Sequence, residues 1–136
     1  MPTRLRPFPA RRISSPYGWR CRPGSTTKSF HLGTDYQVPG GTAVRACEAG
    51  TVSDVRYDAA SGHTITILHA GGWSTKYHHL RHEASVAVGQ PVDAGQVIGY
   101  VGHTGTAAHG DHLHLEAWRN GRHADPETYF EEVDTP

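Results

Sequence analysis

Two cysteines, Cys21 and Cys47, are too few in 136 residues to brace a fold with a disulfide framework. Cys47 lies in the run Ala43-Val44-Arg45-Ala46-Cys47, where it reads as a buried free thiol. No stretch approaches the ~20 apolar residues of a membrane helix, so no membrane span is expected. Thirteen basic residues balance thirteen acidic ones. No basic stripe is offered to nucleic acid, and no nucleic-acid partner is expected. No segment carries a convincing 3.6-residue apolar stripe, and neither repeats nor an internal linker divide the chain. Residues 1–12 are basic but lack an apolar stretch. They read as an extended arm rather than a signal peptide.

What the chain does have is glycine, proline and histidine, at 16, 9 and 11 residues. Glycine and proline punctuate many short runs of alternating polarity, which favours an all-β antiparallel fold in one domain. Strands are expected at 43–47, 51–55, 63–69, 73–79 and 92–101, with Ala70-Gly71-Gly72 as a tight turn. Loops are expected at roughly 20–30, 57–63, 78–86 and 102–111.

The histidines carry the chemistry. Asp111-His112-Leu113-His114-Leu115-Glu116-Ala117 alternates strictly, so His112, His114 and Glu116 share one strand face and the apolar residues share the other. Two imidazoles held side by side suit two metal ligands, or one ligand with a catalytic neighbour. His31 and Asp35 lie four apart, but Gly33 between them argues for a loop entering a strand, with both side chains converging. In Tyr77-His78-His79-Leu80 the adjacent histidines must point to opposite faces of a strand. Trp73, Thr75, Tyr77 and His79 form the inward set, which leaves His78 on the surface with Ser74 and Lys76.

These strings occur in an order that resembles the LytM/lysostaphin-type zinc metallopeptidases, the M23 family. The resemblance rests on Ser15-Pro16-Tyr17-Gly18-Trp19-Arg20, Phe30-His31-Leu32-Gly33-Thr34-Asp35-Tyr36 and Gly50-Thr51-Val52. It continues through Tyr77-His78-His79-Leu80, Val88-Gly89-Gln90-Pro91-Val92, Ala94-Gly95-Gln96-Val97-Ile98-Gly99, Gly102-His103-Thr104-Gly105 and His112-Leu113-His114-Leu115-Glu116. It implies a peptidase domain over 13–131, with an arm at 1–12 and a tail at 132–136. It implies a β-sandwich of lipoyl-like, duplicated architecture with a zinc groove walled by four loops. One zinc ion per chain would be held by His31, Asp35 and His114, with His79 and His112 as the catalytic pair. Between Thr104-Gly105 and His112 the family has a Ser/Thr-Gly-Pro run. Here Thr106-Ala107-Ala108-His109-Gly110-Asp111 lacks the proline and is one residue longer, which alters a groove wall.

Two imidazoles and a carboxylate leave a fourth zinc position open, as in catalytic sites. Glu116 is a candidate for orienting a ligand imidazole. The implied activity is hydrolysis of peptide cross-bridges in bacterial peptidoglycan by a monomeric enzyme, extracellular or periplasmic. The implied setting is a phage-released bacteriolytic lysin or a domain excised from a longer secreted protein. The bond cut, a glycyl-glycine bridge or a D-alanyl cross-link, is open, as is the division of roles between His79 and His112. A non-catalytic wall-binding or hydrolase-activating module of the same fold is the alternative, and the presence of all five site positions argues against it. A two-histidine, one-carboxylate iron oxygenase has no use for two further histidines. A lipoyl-type carrier would need a lysine at a hairpin tip, whereas Lys76 sits inside a strand.

Overall fold

A computed structural model describes residues 3–21, 24–82 and 85–132. Its strands, in chain order, are β1 (Ile13–Ser15), β2 (Gly18–Cys21), β3 (Lys28–His31), β4 (Thr34–Tyr36), β5 (Ala43–Arg45) and β6 (Gly50–Asp58). They continue with β7 (Gly62–Leu68), β8 (Trp73–Leu80), β9 (Pro91–Val92), β10 (Val97–Tyr100), β11 (Leu113–Arg119) and β12 (Arg122–Ala124), before one short helix, α1 (Pro126–Glu131). The main sheet runs β1-β4-β11-β8-β7-β6-β9, with β12 beside β11. β5 pairs with β10 and β2 with β3 in two further ribbons, and every pairing is antiparallel.

Alternation explains which face is core. Along β8, Trp73, Thr75 and Tyr77 are buried, while Ser74, Lys76 and His78 face the other way. Ile65, Ile67, Tyr77, Leu113 and Leu115 pack from the main sheet against Val44 and Ile98 of the β5–β10 ribbon. Gly99 of the ribbon packs closely on the main sheet: a Cβ there would sit 3.3 Å from Leu80 Cδ1 and 3.8 Å from Ile65 Cδ1. The expected β-rich antiparallel architecture is what is found, as two layers over one core.

Three local features differ from the sequence reading. Part of the segment expected as a loop at 20–30 is the β2–β3 hairpin, with Arg22 and Pro23 outside the described residues. The loop expected at 78–86 begins later, because β8 runs through Leu80; Glu83 and Ala84 lie outside the described residues. The C-terminal segment forms α1, started by Asp125, whose side chain accepts from Glu127 N at 2.9 Å, and by Pro126 in the first turn. Six residues are too few to show a helical stripe.

The arm is fastened to the body. Arg4, with a side chain only 4% exposed, donates through Nε to Glu48 Oε1 at 2.9 Å and through Nη1 to Tyr129 O at 2.7 Å. Leu5 N donates to Cys47 O, and Phe8 packs on Tyr36. Cys47 is fully buried with a free thiol; Cys21 is exposed and free.

Candidate metal centre

Three antiparallel strands place the site. Asp35 of β4 and His78 of β8 are the direct cross-strand neighbours of His114 on β11, one on each side. His31, the last residue of β3, comes over this row after a turn at Leu32-Gly33. Gly33 makes the approach possible. A Cβ there would clash with Leu115 O and lie 2.9 Å from both Cε1 and Nε2 of the His114 ring.

The donor atoms of His31, Asp35 and His114 converge. His31 Nε2 lies 3.2 Å from His114 Nδ1 and 3.4 Å from Asp35 Oδ2, and His114 Nδ1 lies 2.7 Å from Asp35 Oδ1. Tetrahedral zinc with bonds of about 2.0–2.1 Å needs ligand atoms roughly 3.3 Å apart. The two nitrogens are at such a separation, each has an Asp35 oxygen within 3.4 Å, and these three residues, which the sequence resemblance also assigns, could hold a metal ion.

Hydrogen bonds fix which ring nitrogen of each histidine faces the site. A backbone carbonyl can only accept, so each ring nitrogen that touches one must carry the proton. His31 Nδ1 donates to Pro16 O at 3.0 Å, His79 Nδ1 to Thr104 O at 2.8 Å and His112 Nδ1 to Gly110 O at 2.9 Å. In the neutral rings, all three leave the Nε2 lone pair free. For His31 it points at Asp35 and His114, and His112 Nε2 lies 3.9 Å from Asp35 Oδ1. His114 is held the other way round. Its Nε2 donates to Glu116 Oε2 at 2.9 Å, so Nδ1 is the donor atom offered to a metal. Trp118 Nε1 donates to the second Glu116 oxygen at 2.8 Å and locks the carboxylate.

His79 reaches the site by a route that strand alternation does not anticipate. In the β7–β8 pairing Ile65 faces Tyr77 and His63 faces Leu80, so β8 carries one extra residue against β7. His79 absorbs the bulge with φ of 65°, a left-handed conformation uncommon for a residue with a Cβ. Its ring lies 4.8 Å from that of His112 and 6.1 Å from that of His114, centroid to centroid. His79 therefore does not join the inward aromatic set, and His78 is not a free surface residue. The His78 ring stacks 4.8 Å from His114, with Nε2 3.9 Å from Glu116 Oε2. His78, His114 and Glu116 form a second group of potential ligand atoms. It shares His114 with the first group.

The electrostatics follow from burial and pairing. Burial opposes charge on His114, but hydrogen bonds to Asp35 and Glu116 outweigh it and lift its pKa to about 9. Burial would raise Asp35, yet His114 and His31 hold it well below the usual carboxylate range. Glu116 is likewise drawn down to about 2 against its burial, first by the His114 hydrogen bond. Burial lowers His78 to about 3, assisted by the neighbouring His114 charge. Burial also lowers His79 to about 4, partly offset by its bond to Thr104 and reinforced by His112 and His114. Both are neutral at pH 7.

The loop at 102–111 walls this groove. Thr106 N and Ala107 N donate to Ala59 O and Ala60 O of the β6–β7 turn, and His112 N donates to Gly102 O at 3.2 Å. The model of peptidase family M23 matches residues 29–126, which contain every one of these side chains. The chain belongs to peptidase family M23. Over 122 residues this M23 domain is 42% identical to the DD-carboxypeptidase/endopeptidase Mpg of Neisseria meningitidis serogroup B, covering 90% of the chain and 28% of that protein. The chain thus spans under a third of that relative's length. A zinc-containing peptidase from Vibrio cholerae superposes with a TM-score of 0.73 at 34% identity, over 83% of this chain and 35% of that one. The catalytic domain of lysostaphin from Staphylococcus simulans superposes with a TM-score of 0.75 at 28% identity, over 87% and 90% respectively. M23 members are metallopeptidases, and this domain carries a donor set able to hold a metal ion.

Proposed function

We propose that this chain is the catalytic domain of a zinc-dependent endopeptidase that hydrolyses peptide cross-links of bacterial peptidoglycan, acting in the cell wall. The observation that carries the reading is the convergence of His31 Nε2, Asp35 and His114 Nδ1, beside two further imidazoles that present Nε2. The names of the relatives, a DD-carboxypeptidase/endopeptidase and a zinc-containing peptidase, support the substrate class and the metal.

His31, Asp35 and His114 would hold the ion. Bound zinc would supply a Lewis acid that acidifies a water and polarises a scissile carbonyl. The rest falls to side chains of the protein. Asp35 stays ionised and contributes the negative charge of the donor set. Glu116 keeps the His114 ring in the orientation that exposes Nδ1. His79 and His112 stand side by side with their Nδ1 protons tied to the backbone. One Nε2 takes a proton from the attacking water and passes it to the leaving amine; the other, protonated, donates to the developing oxyanion. The two roles need different protonation states, and a charge on His112 disfavours a second charge on His79.

The test is digestion of cross-linked muropeptides, read by mass spectrometry, with metal content measured on the same samples. Chelated protein and His31→Ala, Asp35→Ala or His114→Ala should lose both metal and cleavage. His112→Ala should keep the metal and lose turnover by a factor of about 10²–10³. Undiminished cleavage by metal-free protein would refute the reading.

A further inference from the structure

A cavity of about 280 Å³ opens between the Pro39-Gly40-Gly41 turn and the loop at 102–111, lined by Gly40, Arg81, Gly102, His103, Thr104 and Asp111. Two of these residues tie it to the candidate catalytic pair. Gly102 O accepts from His112 N, and Thr104 O accepts from His79 Nδ1. The cavity carries one cation and one anion. Arg81 is exposed, and among the described residues its guanidinium has no hydrogen-bond or ion-pair partner. Asp111 accepts from His103 Nδ1 at 2.8 Å through Oδ1 and does not pair with Arg81. Two consecutive glycines leave the space these groups occupy. A Cβ on Gly41 would sit 2.7 Å from Arg81 Nη1, and one on Gly40 would sit 2.8 Å from the Asp111 carboxylate. None of these charges serves the metal centre.

A pocket lined by a guanidinium unpaired among the described residues and by a carboxylate suits a ligand with the opposite pair of charges. An α-amino-acid head is such a ligand: its carboxylate takes the planar fork of an arginine in two parallel hydrogen bonds, and its ammonium faces the acid. Among the peptides of bacterial walls, the free end of a diaminodicarboxylic acid side chain has this chemistry. A glycyl bridge has neither charge, and a lysine side chain has no carboxylate. We propose that this cavity binds the free amino-acid end of a diaminopimelate side chain in the substrate stem, with Arg81 on its carboxylate and Asp111 on its ammonium. The inference rests on the peptidase reading above and narrows it to walls built on diaminopimelate.

Two measurements test it separately. The first is calorimetric binding of the tripeptide L-alanyl-D-glutamyl-diaminopimelate, which has no D-alanyl bond to cut, against the same peptide with the free diaminopimelate carboxylate amidated. The intact protein should bind the free acid about tenfold more tightly, the size expected of a charge-assisted pair. Arg81→Gln should bring the two peptides together, and Asp111→Asn should do the same for a pair differing by N-acetylation of the free amine. The second is cleavage of cross-linked dimers with free and amidated carboxylate by the metal-loaded protein, where the ratio of kcat/KM should collapse in Arg81→Gln. Equal binding of acid and amide, or discrimination that survives Arg81→Gln, overturns the pocket assignment. Dimers cut without discrimination overturn it too and leave the peptidase reading standing. Discriminating binding with no dimer cut sustains the pocket and removes the peptidase reading.

Discussion

His114 and Glu116, two residues apart on one strand, are joined by a 2.9 Å bond from His114 Nε2 to Glu116 Oε2. With Asp35 2.7 Å from the other ring nitrogen, the His114 imidazole sits between two carboxylates. In the metal-free protein this environment keeps both of its protons up to a pH of about 9.

Metal uptake should therefore release about one proton at pH 7, from His114 Nδ1. Asp35 is already ionised and contributes none. Apparent metal affinity should fall about tenfold for each unit of pH below about 9, because proton and metal compete for one lone pair. Calorimetry of zinc uptake in buffers of different ionisation enthalpy measures the count directly. A count near zero at pH 7 would show that His114 Nδ1 is not the ligand atom.

The same shifts set the pH dependence of metal-free stability. His114 has its folded pKa raised, so its contribution is complete below about pH 6.5 and is lost as pH rises through about 9. His78 and His79 have theirs depressed to about 3 and about 4. The unfolded chain takes up their protons near pH 6.5, so the folded state loses ground as pH falls below that value. Asp35 and Glu116, both lowered, add to the acid loss below about pH 4. Denaturation midpoints of the metal-free protein should peak near pH 6–7 and fall on both sides. Loading with metal should remove the alkaline fall, since the ion then replaces the His114 proton. An alkaline limb that is the same with and without metal would contradict the assignment.

The period of two along 111–117 puts His112 and His114 on one strand face, but a glycine-broken HxxxD carries little alone, and it is the family resemblance that joins His31 and Asp35 to His114. The core follows from the same period, as Trp73, Thr75 and Tyr77 alternate inward. The rule fails two residues later. The residue types in Tyr77-His78-His79-Leu80 carry no mark of a bulge, because the extra residue is defined by the partner strand, where His63 faces Leu80. Alternation separates His79 from His78 on the premise that they face opposite ways, whereas both imidazoles lie beside His114. Backbone acceptors such as Pro16, Thr104 and Gly110 have no side-chain signature, so the ring orientations they impose were beyond pattern reading. The helix α1 did have a signal, Asp125-Pro126 ahead of Tyr129-Phe130, but one too short for periodicity.

The bulge makes its own prediction. His79 holds φ of 65°, where a Cβ costs roughly 1 kcal/mol that glycine does not incur. His79→Gly should therefore be more stable than His79→Ala by about that amount in urea melts, although glycine is ordinarily the poorer strand residue. Both variants should retain metal and lose most turnover. If His79→Ala proves the more stable of the two, the left-handed conformation is not what the β7–β8 register imposes at this position.

The last prediction concerns the arm. Arg4 and Glu48 have side chains only 4% exposed and lie 2.9 Å apart. Tyr129 OH donates to the same Glu48 oxygen at 2.6 Å, and the Arg4 guanidinium stacks 4.3 Å over the Tyr129 ring. Removing one member of such a pair leaves the other charge buried without its counterion, a loss of about 3 kcal/mol or more. Arg4→Ala should cost that much in urea-induced unfolding. Arg4→Ala combined with Glu48→Gln should recover part of it, because the orphaned charge is gone while the Tyr129 hydroxyl keeps an acceptor. The site lies elsewhere on the sheet, so metal affinity of the folded variant should be unchanged. A cost below 1 kcal/mol for Arg4→Ala would show that the arm rests on the domain without bracing it.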